Sequence, residues 1–508
     1  MTDNVRARFA PSPTGEPHIG SIRTVIFDYL FAKHFGGQLI LRVEDTDQKR
    51  YVPGSVRALL EGLAWLGIEF DEGPSRQELA QIGQDWEGAP EIGGPHGPYI
   101  QSLRRDIYRQ ASDALISRGA AYRCDCTPER LEAMRQRQAA NKQPIGYDRV
   151  CRNKQPGGVD PNKPHVVRLQ VPTDGAISFH DLVKGDVSFD LRMVDDAVLL
   201  KSDGLPTYHF AVVVDDHGMG ITHAIRADEW LPSTPKHILI YRAFGWAMPE
   251  FAHVPDVLAA DGKKLSKRHG ATSISEFRKM GFMPEAVLNF LAFLGWAPGE
   301  GEEQEIFTRD ELARRFSLEH VNRAGAVFSY DKLDWMNGEY IRRMPQDELA
   351  QRLLPYLAAG LGMSEEEIGI QKVVQLVPLI RERLKRFTDA AGWCDLFFKD
   401  MPIPSASGLI GKKMDAASSL AALRRVIATL ENVPEWTERA MEPPMRALTE
   451  ELGLKTGQLF GIVRVAVTGK EVAPPLFGTM VVLGREKVMQ RLKAAEAQLA
   501  SVAQDPLS

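Results

Sequence analysis

The sequence contains few cysteines and no long hydrophobic run. Four cysteines in 508 residues are too few for a disulfide framework in a chain of this length. No stretch reaches the roughly 18 consecutive apolar residues of a transmembrane helix, and the start MTDNVRARFAPSPTG has no apolar signal-peptide core. We therefore predict a soluble cytoplasmic protein that does not bind membranes.

An excess of positive charge is also missing. Lysine and arginine number 62 against 67 acidic residues, which gives a net charge of -5. A nucleic-acid partner would therefore have to bind local basic segments rather than a global positive field. Single hydrophobic cores stop growing near ~300 residues, so a chain of 508 residues is expected to form several domains.

The first fifty residues have the pattern of a βαβ unit. Val5, Ala7 and Phe9 alternate with two arginines, which predicts a half-buried strand. Apolar residues from Ile22 onwards follow helical spacing, and residues 39–43 read as a buried strand. Ligands of such units bind beyond the carboxyl ends of the strands.

A second piece of the same kind begins near residue 206. The apolar run Phe210–Val214 and the segment Ile221–Ile225 are predicted strands, and Thr234 is predicted to cap a helix that ends at Gly245. The sequence pattern of residues 111–205 differs from that of the two flanking halves, and we interpret this segment as an inserted domain. Strand patterns fade after residue 327, and the stretch Val373–Ala391 continues with helical periodicity.

The predicted fold class is therefore α/β, with a split Rossmann-type nucleotide-binding domain, an inserted α/β domain and an all-α C-terminal region. The predicted boundaries are 1–110 and 206–262 for the two halves of the nucleotide-binding domain, 111–205 for the insertion, 263–326 for a connecting region, and 327–508 for the helical region.

Two short segments have the composition of phosphate sites. His18-Ile19-Gly20-Ser21 lies where a strand passes into a helix N-terminus, whose free N–H groups attract phosphate. Residues 261–270, DGKKLSKRHG, form a glycine-bounded basic loop. Each segment alone is also compatible with a bland reading, a plain turn for the first and a solvated basic loop for the second.

Together these segments resemble a known family. HIGS and KLSKR are similar to the HIGH and KMSKS motifs of class I aminoacyl-tRNA synthetases. RFAPSPTG, RVEDTD, PTYHFAVVVDDH, IRADEW and KLSKRHG resemble the bacterial glutamyl branch in order and spacing. The resemblance implies ATP-dependent activation of L-glutamate, with Mg²⁺, and its transfer to the 3′-terminal adenosine of tRNA(Glu). It further implies that residues 111–205 contact the acceptor stem of the tRNA, that residues 263–326 contact the adjoining stem, and that residues 327–508 bind the anticodon. The family resemblance also implies a monomeric enzyme.

The resemblance also assigns residues. Those implied in catalysis are His18, Ser21, Lys264, Lys267 and Arg268. Those implied in glutamate binding are Arg8, Ala10, Ser12, Glu44, Tyr208 and Arg226. Those implied in ATP binding are His18, Gly20, Glu229, Trp230, Val257 and Lys267. Arginine forks suit carboxylates and an acid suits the ammonium group.

Three cysteines lie close together in the sequence of the inserted domain. Zinc prefers four nitrogen or sulfur ligands, and some family members bind structural zinc with a similar pattern. The resemblance makes Cys124, Cys126, Tyr147 and Cys151 the candidate ligand set. The alternative is that these are buried thiols without a metal.

In the helical region, Arg381 to Arg386 contain four cations in six residues. Relatives carry an arginine near Arg383 that meets an anticodon base, while a solvated helix face is the alternative. The glycine-rich segment Glu78–Gly97 is longer than the usual family link and has no assigned function.

Alternative functions remain open at this stage. They are a non-discriminating enzyme that also charges tRNA(Gln), a glutaminyl-tRNA synthetase, a truncated paralogue that modifies a tRNA base, and a non-catalytic tRNA-binding paralogue.

Overall fold

The computed structural model describes residues 4–152, 159–160, 162–266, 268, 270, 273–299 and 301–503. The chain divides into two compact units. The first unit comprises Met1–Lys279 and Pro284–Leu333, and the second comprises Met280–Met283 and Asp334–Ser508.

The first unit contains the strands and ten of the described α-helices. The strands are β1 (Arg6–Phe9), β2 (Gln38–Leu41), β3 (Ala121–Cys124), β4 (Val166–Leu169), β5 (Ala176–Asp181), β6 (Gly185–Asp190), β7 (Val198–Leu200), β8 (His223–Ala227), β9 (Glu250–Val254), β10 (Val257–Leu258) and β11 (Ala326–Val327). The helices are α1 (Ile19–His34), α2 (Ser55–Trp65), α3 (Arg76–Gln81), α4 (Arg105–Ser117), α5 (Pro128–Ala140), α6 (Tyr208–Gly218), α7 (Thr234–Phe244), α8 (Ile274–Lys279), α9 (Pro284–Phe293) and α10 (Arg309–Arg315).

A six-stranded sheet forms the centre of the first unit. Its order is β2-β1-β8-β9-β5-β6, and all neighbouring pairs are parallel except the β5–β6 hairpin. A second, antiparallel sheet has the order β3-β4-β7. Strands from residues 111–205 therefore contribute to both sheets, because β5 and β6 extend the central one. The short strands β10 and β11 pair separately.

The predicted βαβ unit is present as β1, α1 and β2, but the prediction that β1 is half-buried is wrong. All four residues of β1 are buried. Arg6 pairs with Glu72 at 2.8 Å, and Arg8 pairs with Asp216 at 3.2 Å. The two arginine side chains can be buried because these carboxylates compensate their charges.

The prediction that Phe210–Val214 is a strand is also wrong, because these residues belong to helix α6. Every residue from Phe210 to Asp216 is buried. A helix packed on all sides has the same continuous apolar run as a buried strand, so periodicity does not distinguish the two. The helix places Asp215 and Asp216 in its last turns, facing the arginines of the core.

The second predicted strand of this region and the following helix are present with shifted starts. Strand β8 begins at His223, and α7 begins at Thr234 with Ser233 as N-cap. Thr234 is therefore not the cap, and its hydroxyl instead accepts a hydrogen bond from Arg226 Nη2 at 2.9 Å. The helix ends at Phe244, and the predicted Gly245 follows as its C-cap with a φ of 69°, which suits glycine.

The second unit is helical throughout its described regular elements. Helix α11 (Tyr330–Arg343) begins in the last residues assigned to the first unit. The later helices are α12 (Gln346–Leu361), α13 (Glu365–Ile368), α14 (Ile370–Ile380), α15 (Asp389–Phe398), α16 (Ala406–Leu409), α17 (Ala416–Glu431), α18 (Glu438–Glu451), α19 (Thr456–Thr468), α20 (Leu476–Leu483) and α21 (Arg485–Ala503). Buried aliphatic side chains of α17, α19 and α21 form much of its core.

The stretch Val373–Ala391 is not one helix, contrary to the sequence interpretation. Helix α14 ends at Ile380, a 3-10 turn covers Arg381–Arg383, and the backbone is extended at Leu384. The Asp389 carboxylate accepts the backbone N–H groups of residues 385 and 386 at 3.0 and 2.9 Å, which stabilises this bend. Arg381 and Lys385 therefore do not share a helical face.

The segment Glu78–Gly97 is fixed to the first unit by polar contacts. Glu78 Oε1 accepts the backbone N–H of Tyr99 at 3.0 Å. The Tyr99 hydroxyl donates to Glu72 at 2.6 Å, and His96 Nδ1 lies 2.9 Å from the same carboxylate. The longer link is thus an ordered part of the unit.

Candidate functional site

A cleft of about 910 Å³ opens beyond the carboxyl ends of β1, β2 and β8. Most of the residues that the sequence assigned to substrates lie on its wall. These are Arg8, Ala10, Ser12, His18, Ser21, Glu44, Tyr208, Arg226, Glu229 and Trp230. The cleft therefore collects side chains from both predicted halves of the nucleotide-binding domain.

Four other assigned residues are described but do not belong to the cleft wall: Gly20, Val257, Lys264 and Arg268. Gly20 is in the first turn of α1, and Val257 is buried in β10. Lys267 lies outside the described residues.

His18 caps the helix that leads away from the cleft. It is the N-cap of α1, and its Nδ1 accepts the backbone N–H of Gly20 at 3.4 Å. This bond orients the imidazole at the positive end of the helix, where anions are stabilised. No acidic residue occupies the first turn of α1.

A buried charge network lies at the inner end of the cleft. Arg42 contacts Asp216 at 2.7 Å and Glu44 at 2.9 Å, and Arg8 contacts Asp216 at 3.2 Å. Arg104 pairs with Asp215 at 2.8 Å. Three arginines thus meet three carboxylates, which satisfies the requirement that buried charges be paired.

The network shifts the pKa values of its members in opposite directions. Burial disfavours the charged form of Asp216, but the charges of Arg8 and Arg42 outweigh it and lower the pKa of this carboxyl. Burial raises the pKa of Glu44 from 4.5 to about 7, because Arg42 opposes the effect only in part. Glu44 therefore has a pKa in the physiological range.

Arg226 is held by neutral groups instead of carboxylates. Its Nε donates to His253 at 2.9 Å, Nη1 contacts His237 Nδ1 at 3.0 Å, and Nη2 donates to the Thr234 hydroxyl. Burial lowers the pKa of Arg226, although the Tyr208 hydroxyl opposes this. Because its bonded neighbours carry no negative charge, the guanidinium is suited to an anionic ligand in the cleft.

Aromatic and charged groups come together around Glu229 and Trp230 of the cleft wall. The rings of Tyr208 and Trp230 are 4.4 Å apart. Lys264 Nζ contacts Glu229 at 2.5 Å and Asp256 at 3.0 Å. The Lys264–Glu229 ion pair connects the basic segment 261–270 with the IRADEW segment, which contains two of the residues implied in ATP binding.

The sequence interpretation missed several groups in this region. Arg42 and Asp216 complete the charge network, and Asp28 lines the cleft. Within the described part of the chain, neither carboxylate oxygen of Asp28 has a hydrogen-bond partner. The available signal was an arginine inside a buried strand pattern and an aspartate among the buried positions of a helix.

The three cysteine sulfurs of Cys124, Cys126 and Cys151 lie within 4.8 Å of one another. The Tyr147 hydroxyl is 3.3 Å from the Cys124 sulfur and 3.5 Å from that of Cys126. A tetrahedral zinc site with bonds of about 2.3 Å to sulfur separates its sulfurs by roughly 3.8 Å. The donor set therefore fits zinc without a large rearrangement.

In the second unit, the Arg383 guanidinium lies over the Trp393 ring at 5.2 Å. Arg386 instead pairs with Asp334 at 2.6 Å and covers the Phe282 ring at 4.6 Å. Within the described residues, no helix is long and apolar enough to cross a membrane.

Comparison with known proteins shows that nearly the whole chain is similar to proteins of one family. Residues 4–335 match the family "tRNA synthetases class I (E and Q), catalytic domain", and residues 348–496 match "Anticodon binding domain". A glutamate–tRNA ligase of Dehalococcoides mccartyi is 46% identical over 503 residues, with 99% of each chain covered. One of Treponema denticola is 41% identical, covering 97% of this chain and 99% of its own.

A solved structure of a related protein is similar to this chain along nearly its whole length. A glutamate tRNA ligase from Elizabethkingia meningosepticum, in complex with its amino acid, has a TM-score of 0.86 at 34% identity. The match covers 98% of this chain and 100% of that one. The predicted family and fold class are confirmed: this chain belongs to the class I tRNA synthetases for glutamate and glutamine, with a helical anticodon-binding domain.

Proposed function

We propose that this chain is a glutamate–tRNA ligase that activates L-glutamate with ATP and transfers it to tRNA(Glu). The observation that carries the proposal is the pair of buried guanidinium groups, Arg8 and Arg226, on the wall of one cleft with the carboxylate of Glu44. A substrate with two carboxylates and one ammonium group requires this combination of charges.

The first step is an in-line displacement. A glutamate carboxylate oxygen attacks the α-phosphorus of ATP, and pyrophosphate leaves. The 3′-terminal ribose hydroxyl then attacks the carbonyl carbon, and AMP leaves. Arg8, Tyr208 and Arg226 would hold the carboxylates, while Glu44 and Ser12, with the Ala10 backbone, would hold the ammonium group.

ATP would bind at the start of α1 and beside the IRADEW segment. His18, Gly20 and Ser21 offer imidazole, backbone and hydroxyl groups to phosphates and ribose at the positive helix end. The Trp230 ring would border the base, together with backbone near Val257. Mg²⁺ would arrive with the nucleotide and neutralise phosphate charge.

The basic segment would supply positive charge to the transition state. Lys264, already placed by Glu229 and Asp256, would stabilise the loop, and Arg268 would support it. Lys267 would reach the α-phosphate, where its charge acts on negative charge that develops during the displacement.

We further propose a structural zinc bound by Cys124, Cys126, Tyr147 and Cys151. Burial raises the pKa of Cys151 to about 11, whereas at Cys124 hydrogen bonds from Tyr147 and Arg168 outweigh burial and lower the thiol pKa. Zinc would supply folding free energy to residues 111–205 and would not take part in the reaction.

Residues 111–205 would bind the acceptor stem of the tRNA, residues 263–326 the adjoining stem, and residues 327–508 the anticodon. The enzyme would act as a monomer in the cytoplasm. Arg383 would read an anticodon base. Its guanidinium lies on the Trp393 ring, and stacked guanidiniums of this kind suit unstacked bases.

The deciding experiment is aminoacylation of purified tRNA(Glu) and tRNA(Gln) with labelled glutamate and labelled glutamine. The expected product is glutamyl-tRNA(Glu). Charging with glutamine, or no charging of either tRNA, would contradict the proposal. Glutamyl-tRNA(Gln) in addition would identify the enzyme as non-discriminating.

A further inference from the structure

The groups behind Arg226 form a hydrogen-bonded chain with a single direction. Asp181 Oδ2 is 2.6 Å from His253 Nδ1, and His253 Nε2 accepts from Arg226 Nε at 2.9 Å. On the other side, Arg226 Nη1 contacts His237 Nδ1, whose Nε2 lies 3.1 Å from His209 Nδ1. Asp181 and His253 are fully buried.

The chemistry of arginine determines the proton positions in this chain. A guanidinium only donates, so each imidazole nitrogen that meets Arg226 must carry a lone pair. His253 therefore has its proton on Nδ1 and donates it to Asp181. His237 has its proton on Nε2 and donates it to His209. Burial, reinforced by Arg226, keeps the pKa of His237 well below its ordinary value, which maintains the neutral form.

Asp181 is itself held rigidly by backbone groups. Its Oδ1 accepts the backbone N–H groups of Val183 at 3.0 Å, Lys184 at 2.9 Å and His253 at 3.2 Å. Only Oδ2 is left for the imidazole. The carboxylate thus presents an acceptor to Nδ1 in a fixed position and permits a single tautomer of His253.

We propose that Asp181 and His253 are positioning residues for substrate binding, which act by fixing the tautomer that accepts the Arg226 Nε–H and thereby aim its guanidinium into the cleft. This inference deepens the proposed function, since it rests on Arg226 as a ligand of the glutamate substrate. It also gives residue 181, from the segment between the two halves of the nucleotide-binding domain, an indirect effect on glutamate binding.

Asp181→Asn is the most direct perturbation. Because Oδ1 remains occupied by three backbone donors, the amide must turn its NH₂ group towards His253 Nδ1. The imidazole then keeps its proton on Nε2, where it opposes the Arg226 Nε–H. Two donors face each other, and Arg226 must move.

The expected result is an increase in KM for glutamate of about 10- to 100-fold, the range for loss of a hydrogen bond to a charged group. The KM for ATP should stay within about threefold of wild type. Aminoacylation with saturating tRNA(Glu) measures both constants. His253→Gln retains an acceptor near the Nε2 position without a tautomer, so its KM for glutamate should rise only about threefold.

A double-mutant cycle distinguishes positioning from general damage. If Asp181 acts through the tautomer of His253, Asp181→Asn should have little further effect in the His253→Gln background. Full additivity of the two increases in KM would overturn the proposal. The matched control is the exposed pair His180 and Asp186, which meet at 2.8 Å; Asp186→Asn should leave the KM for glutamate and the KM for ATP unchanged.

The imidazole ¹⁵N chemical shifts provide a readout that a merely structural role would not move. The His253 resonance, assigned by its loss in His253→Gln, should report Nδ1–H in wild type and Nε2–H in Asp181→Asn. An unchanged tautomer together with a raised KM would overturn the proposal. If Asp181→Asn does not fold, His253→Leu replaces it, and a KM equal to that of His253→Gln would have the same consequence.

Arg226→Gln separates failure of this inference from failure of the proposed site. A wild-type KM for glutamate in Arg226→Gln would remove the proposed substrate contact itself, and with it the inference. A raised KM in Arg226→Gln, with wild-type behaviour of Asp181→Asn and His253→Leu, would overturn the positioning role alone.

Discussion

Replacement of Glu44 by glutamine should remove a pH dependence of glutamate binding. Burial raises the pKa of Glu44 from 4.5 to about 7, which corresponds to about 3 kcal/mol in favour of the neutral form. The ammonium group of the substrate requires the ionised carboxylate. In wild type, kcat/KM for glutamate should therefore fall about tenfold per pH unit below a pKa of about 7.

In Glu44→Gln the profile should be flat around this pKa. Its kcat/KM should lie on the order of 10²–10³-fold below the wild-type plateau, since a buried ammonium group would lose its charged partner. The assay is aminoacylation at subsaturating glutamate across the pH range. Glu61→Gln is the control, because Glu61 is exposed on α2 and pairs only with Arg57 among the contacts described.

The same shift makes a prediction for stability in the absence of substrate. The folded-state pKa of Glu44 is above its unfolded value, so its stabilising contribution is fully present below pH 4.5 and is lost as the pH rises through about 7. Above that pH, Glu44→Gln should unfold at a higher denaturant concentration than wild type. An inflection near pH 7 that persists in Glu44→Gln would refute the assignment of the titration to this residue.

Three further changes have simpler expected outcomes. Lys267→Ala should lower the single-turnover activation rate by about 10²–10³-fold with little change in glutamate affinity, because the charge acts in the transition state; an unchanged rate would contradict the KLSKR assignment. Elemental analysis of protein purified without chelator should find about one zinc per chain, and its removal should lower the melting temperature; metal-free protein of equal stability would leave the cysteines as buried thiols. Arg383→Ala should change the ratio of kcat/KM for tRNA(Glu) to that for tRNA(Gln), whereas Lys385→Ala should lower both kcat/KM values equally and reduce the salt dependence of tRNA binding. A constant ratio in Arg383→Ala would show that another residue recognises the anticodon base.

The beginning of the catalytic unit was predictable because its signals are local. Alternation, helical spacing and the turn at residues 11–15 all lie within forty residues, and they correctly indicated β1, α1 and β2. The burial of Arg8 was not predictable in this way. Its partner Asp216 is 208 residues away along the chain, and no local pattern reports a contact of that kind.

Two misread segments show where local patterns fail. In α6 the apolar run fits a buried helix as well as a strand, and only packing on all sides decides between them. Around Arg383 the amino-acid composition remains typical of a helix, but a contact with a side chain distant in sequence stabilises a bend in the backbone. Asn337 Nδ2 donates to the Lys385 carbonyl at 2.6 Å, which stabilises the bend together with Asp389.

The charge network also has a consequence for the synthesis of this protein. Arg8, Arg42 and Arg104 are translated well before Asp215 and Asp216, the carboxylates that pair with them. At about 5–20 residues per second, the 208 residues between Arg8 and Asp216 take roughly 10–40 s to emerge. During that interval the nascent sheet cannot bury its arginines without a large electrostatic penalty. Folding of the central sheet on the ribosome should therefore wait for α6, and chains that stop before it should be substrates for chaperones and proteases.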